Sequence, residues 1–118
     1  MIIAVRFRDD TAILSLSGKF LAGSDGPFLR EKVKGLMDAG CRKLIVDMRE
    51  VPYIDSTGLG FLAGAHVTVR SASGRIVLAG LNAHVRKVLD DVRLTQFFPL
   101  AEDEDAAVRL VNQSVAEA

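Results

Sequence analysis

Asp55, Ser56 and Thr57 set a carboxylate and two hydroxyls in succession, directly before Gly58-Leu59-Gly60. Such a cluster can attack as a nucleophile, cap a helix, or accept a transferred group on oxygen. Nucleophilic catalysis needs an imidazole within hydrogen-bond reach and a third group to orient it. The only histidines are His66 and His84. His66 lies ten residues along the same expected helix, about 15 Å away at about 1.5 Å rise per residue. Residue 54 is Ile, so the Gly-x-Ser-x-Gly elbow of hydrolases is missing. Gly58-x-Gly60-x-x-x-Gly64 has the wrong spacing for a dinucleotide fingerprint, and Leu78-Ala79-Gly80 ends without an acid for a ribose. Two separated histidines and the single Cys41 offer no metal-ligand spacing. No catalytic, cofactor or metal residue is therefore expected.

Position is the stronger clue. The cluster falls between an apolar strand, Leu44-Ile45-Val46, and a helical pattern. The first turn of a helix carries unpaired N–H groups and the positive end of the dipole, so it accepts a carboxylate or phosphate at low cost. Capping alone needs one residue and contributes about 1 kcal/mol. Three in succession leave at least one hydroxyl exposed, so plain capping and a charge switch both stay open.

The elements that position this cluster follow from periodicity. Ile3, Val5 and Phe7, then Ala12, Leu14 and Leu16, alternate around Asp9-Asp10, which predicts a hairpin of two strands with one buried face each. Ser24 or Asp25 is the expected cap of a first helix, with Pro27 in its first turn and Gly40 at its end. Lys43 to Met48 and Arg75 to Ala79 read as strands buried on both faces. Between them a helix from Ser56 to Arg70 is expected to turn Leu59, Leu62, Ala63, His66 and Val67 to one side, with Gly60 and Gly64 allowing a close approach. Asn82 caps a short helix, Thr95 to Leu100 forms an edge strand around Pro99, and Asp103 opens the last helix. This order predicts one α/β domain over residues 1–118, with a mixed sheet of about five strands and about four helices.

Charge and composition narrow the partners. Fifteen basic residues balance fifteen acidic ones, without a basic stripe, so binding to nucleic acid through phosphate neutralisation is not expected. No apolar run reaches the ~20 residues of a membrane span. The segment Met1 to Phe7 is apolar but too short for a signal-peptide core. With one cysteine the chain suits a reducing, cytoplasmic setting.

Leu44-Ile45-Val46-Asp47-Met48, followed by Val51-Pro52-Tyr53-Ile54-Asp55-Ser56-Thr57-Gly58-Leu59-Gly60, resembles the bacterial anti-sigma-factor antagonists, the STAS-domain family. Their signature is an apolar strand with Asp, a short loop, then Asp-Ser-[Ser/Thr]-Gly-[Leu/Ile]-Gly. The rest of the chain, including Ser15 to Gly18, Val77 to Leu81 and Val85 to Leu89, is compatible with it. The resemblance implies a non-catalytic partner-switching protein. It would dock on an anti-sigma factor that is also a serine kinase, be released by phosphorylation of Ser56, and be restored by a phosphatase. The implied docking surface is Asp55, Ser56, Thr57, Gly58 and Leu59, with Phe20 and Leu21 divided between contact and core. Many antagonists carry Gly-Glu-Leu-Asp after the second strand. Gly18-Lys19-Phe20-Leu21 replaces both acids, so docking there takes a partner of different charge. A monomer or weak dimer is expected. The same superfamily offers two alternatives: a scaffold subunit of a stress-sensing assembly, or an accessory subunit on a lipid-transporter ATPase.

Overall fold

Alternating residues pair Ile2–Arg8 (β1) with Thr11–Ser17 (β2) as an antiparallel hairpin, from Ile2 opposite Ser17 to Arg8 opposite Thr11. The computed structural model describes residues 2–18 and 22–116. Lys43–Glu50 (β3), Arg75–Ala79 (β4) and Leu100–Ala101 (β5) then add in parallel, giving the order β1-β2-β3-β4-β5. Each parallel step needs a crossover, and helices supply it. These are Ala22–Asp38 (α1), Ser56–Ser71 (α2) and Ala83–Asp91 (α3), while Glu104–Ala116 (α4) follows the last strand. The mixed five-stranded sheet with four helices is the one expected.

Strand pleating sorts the core into two layers. Leu14, Leu16, Leu44, Val46, Met48, Ile76 and Leu78 face α1, α2 and α3, meeting Leu29, Val33, Leu59, Leu62, Val69, Val85 and Leu89. Ile13, Ile45, Val77 and Ala79 face Ala107 and Val111 of α4. The expectation of one buried face for each hairpin strand is corrected at both. β2 lies inside the sheet and is covered on both sides, whereas β1 is the outermost strand and leaves Val5 (37%) and Phe7 (61%) exposed.

Other differences have equally local causes. Helix α1 begins at Ala22, so Ser24 and Asp25 lie inside it and Pro27 falls in the second turn. Where α1 meets α2, a Cβ on Gly26 would lie 2.1 Å from the Phe61 ring, so glycine is what lets the two helices meet. At the other end Gly40, at φ 96°, ends the helix as expected. Cys41 N–H donates to the Leu36 carbonyl and Gly40 N–H to that of Met37, both at 3.0 Å, which is a Schellman closure. The expected strand from Thr95 is a 3-10 turn at Leu94–Gln96, and only Leu100–Ala101 joins the sheet. Arg93 enters that turn in the left-handed region, which carries Phe98 (3% exposed) into the core.

Helix α2 is also rotated from the expected face. Leu59, Leu62, Ala65 and Val69 are buried, while Val67 is 62% exposed. Ala63, His66 and Val67 instead share an apolar groove of about 360 Å3 with Leu94, Phe97 and Phe98. Gly60 and Gly64 face open space, so the expected close approach is made by Gly26. No helix among the described residues is long and apolar enough to cross a membrane.

Candidate functional site

Ser56 stands where the loop after β3 becomes α2, at the carboxyl end of a parallel strand. Open α/β sheets place their sites at such ends. Asp55 is extended (φ −94°, ψ 175°), and its Oδ1 accepts from the Gly58 N–H at 2.7 Å. Asp55 is therefore the N-cap, and its backbone carbonyl takes the Leu59 N–H at 3.0 Å. Ile54 before the cap and Leu59 four residues after it are buried in the same core cluster, the placement of a hydrophobic staple. With capping done by Asp55, Ser56 and Thr57 occupy the first two helical positions, and both are exposed.

The residues read from the sequence as a docking surface thus divide. Ser56 and Thr57 are open to solvent, Asp55 is half-buried, and Gly58 and Leu59 (6% exposed) lie inside. Leu59 anchors the helix, and the two hydroxyls stand in front of it, open to solvent. Phe20 and Leu21 lie outside the described residues. The cap has a measurable consequence. Asp55→Ala is expected to cost about 1 kcal/mol, or roughly 4 °C in melting temperature, whereas Asp55→Asn keeps an acceptor and costs a few tenths. Thermal melts in which the two variants fall equally would show that charge, not capping, is what Asp55 contributes.

Two neighbouring elements enclose the site. Asn82 Oδ1 accepts from the Val85 N–H at 2.7 Å, capping α3, and its amide donates to the Val51 carbonyl at 3.2 Å. One side chain thus ties the loop after β4 to the loop that carries Ser56. Tyr53 in that loop stacks on His84, ring centroids 5.9 Å apart. On the other side Arg30 of α1 lies over the Phe61 ring at 5.6 Å, and Arg30, Thr57, Gly60 and Phe61 line a shallow cleft of about 250 Å3. Local sequence did not point to Asn82, Tyr53, His84 or Arg30 as parts of one site. The available signal was topological: adjacent parallel strands deliver their following loops side by side.

Chemically the site is a presented hydroxyl at a positive helix end. His66 faces the aromatic groove, its ring 5.1 Å from that of Phe98, and burial there, with Arg70 nearby, holds its imidazole below the ordinary histidine range. Asp47, the other acid of the motif, is also elsewhere. It shares a strand face with Ile45, is 5% exposed and pairs with Arg49 at 3.2 Å. Among the described residues no three His, Cys, Asp or Glu side chains are grouped to hold a metal ion.

The model of the STAS domain matches residues 3–107, and the chain belongs to that family. It is 30% identical over 89 residues to the anti-sigma-B factor antagonist of Listeria monocytogenes, covering 72% of this chain and 78% of that one. Its fold is similar to that of an anti-sigma factor antagonist from Mycobacterium paratuberculosis, with a TM-score of 0.82 at 22% identity over 94% of this chain and 93% of that one. It is also similar to the Bacillus cell fate determinant SpoIIAA in its phosphorylated form, with a TM-score of 0.71 at 22% identity over 92% and 99% of the two chains.

Proposed function

We propose that the chain is an anti-sigma-factor antagonist, a non-catalytic cytoplasmic protein whose docking on an anti-sigma factor is switched by phosphorylation of Ser56. The observation that carries this reading is the division of labour at the α2 start. Asp55 supplies the cap, which leaves the Ser56 hydroxyl exposed and unneeded for that bond. Phosphate there adds about −1.5 to −2 charges at pH 7. The helix dipole tolerates that charge, so the domain stays folded while a partner surface fitted to a neutral hydroxyl is repelled. Kinship with antagonists named for anti-sigma-B factor supports the partner class. On this reading the anti-sigma factor is also the kinase, and a phosphatase reverses the step.

The test is transfer from ATP by a cognate anti-sigma-factor kinase. Intact mass and fragment mapping should find one phosphate, on Ser56, and none on Ser56→Ala. Phosphate mapped to Thr57 or elsewhere refutes the assignment.

A further inference from the structure

Strand β1 carries a surface that the switch does not use. Among the described residues no strand pairs with its outer edge, because β1 ends the sheet. Edge strands are commonly guarded by lysine, proline or a bulge. The seven residues Ile2–Arg8 contain no Lys or Pro, and the register with β2 is unbroken. The two charges that could guard the edge are drawn away. Arg6 pairs with Glu104, and Arg8 with Glu104 at 3.1 Å and Asp105 at 2.6 Å, all on the α4 side. On the opposite side Val5 opens into a groove of about 440 Å3 lined by Phe28, Glu31, Lys32, Gly35 and Leu36.

We infer that β1 pairs antiparallel with β1 of a second copy of this chain, across a two-fold axis at Val5. The sequence of the strand argues for this occupant. Full overlap of seven residues sets Val5 opposite Val5, Ile3 opposite Phe7, Ala4 opposite Arg6 and Ile2 opposite Arg8. One face is then wholly apolar, and on the other no arginine meets an arginine, the arrangement cross-strand pairing favours. Phe7, 61% exposed, gains Ile3 of the second copy as its cross-strand neighbour. Glu31 and Lys32 at each groove rim offer both signs of charge, so the two-fold can match them. The contact closes at two copies, because it is isologous and the other sheet edge, β5, is only two residues long. A strand pair with these side chains covers on the order of 1,000 Å2, the low end of specific interfaces, which suits a dimer that dissociates on dilution.

Sedimentation equilibrium tests this with the whole chain. Wild type should pass from monomer to dimer with concentration and stop there. Val5→Lys, which sets like charges directly opposite, should raise the dissociation constant at least tenfold, as should Val5→Glu, and an equal mixture of the two should recover it. In a Cys41→Ser background, Val5→Cys should oxidise to a covalent dimer. Directly opposed Cα atoms lie about 4.5–5.5 Å apart, within disulfide range. Ala4→Cys should not, since its twin lies about 8 Å away. A monomer at every concentration, mass growing beyond the dimer, or a dimer that Val5→Cys does not trap overturns the inference. None of these outcomes depends on Ser56.

Discussion

Ser56→Asp is expected to lower affinity for the anti-sigma partner about hundredfold, ~2.7 kcal/mol, without lowering the melting temperature. The two halves of this result have separate origins. On the proposed switch, binding is expected to suffer because a fixed negative charge enters an interface matched to a neutral hydroxyl, and like charge or an unpaired buried carboxylate there costs several kcal/mol. Folding does not suffer, because the substituted position is the first of α2 and its side chain is exposed. An acid in the first helical turn contributes about 0.3–1 kcal/mol of stability. No acid now occupies that turn, so no like charge in it opposes the new one. The half-buried Asp55 one residue earlier offsets part of the gain. Calorimetric titration against the anti-sigma factor, beside a thermal melt, reads both quantities. Binding equal to wild type would remove charge as the switch. A melting temperature lower by more than about 8 °C would mean that the fold itself needs the serine hydroxyl.

The sequence made this site legible because its signals are local. Asp55 and Asn82 both cap the helices they precede, with the acceptor-to-N–H bond at 2.7 Å in each case. β3 and β4, buried on both faces, are readable as apolar runs, since each residue there is inside whichever way it points. Where local and tertiary preferences conflict, the pattern misleads. Alternation in β1 marks an apolar face but does not say whether anything covers it, and the sheet order leaves it at the edge. Val67 continues a helical stripe, yet α2 turns the neighbouring stripe through Ala65 and Val69 to the sheet. Pro27 reads as a first-turn residue, yet α1 begins a turn earlier. The approach of α1 to α2 at Gly26, against Phe61, is likewise a tertiary contact that local pattern does not show.

That packing makes the second large effect. Gly26→Ala is expected to lower the melting temperature by about 4–8 °C, and the same change is expected to raise it once Phe61 is replaced by Ala. In a helix interior alanine is favoured over glycine by about 0.8–1 kcal/mol, and Gly26 lies within α1 and outside the positive-φ glycines. On propensity alone the substitution would stabilise. The added Cβ, however, would sit 2.1, 2.2 and 2.4 Å from Cδ2, Cε2 and Cγ of Phe61. Contact at Cγ cannot be relieved by rotating the ring about its own axis, so either the whole side chain leaves its rotamer or α1 moves off α2. Overpacking of this kind costs about 1–3 kcal/mol, and with three ring atoms met at once, Cγ among them, this case lies at about 2–3 kcal/mol, which exceeds the helical gain. For 118 residues each kcal/mol shifts the midpoint by about 4 °C. Phe61→Ala removes the obstacle and leaves only the propensity term, so the sign reverses, with a coupling of about 2–3 kcal/mol across the double-mutant cycle. Additive melting temperatures would show that Phe61 does not determine the glycine. A reversed sign would show that the chain holds the helix bearing Ser56 against α1 by omitting a single carbon atom.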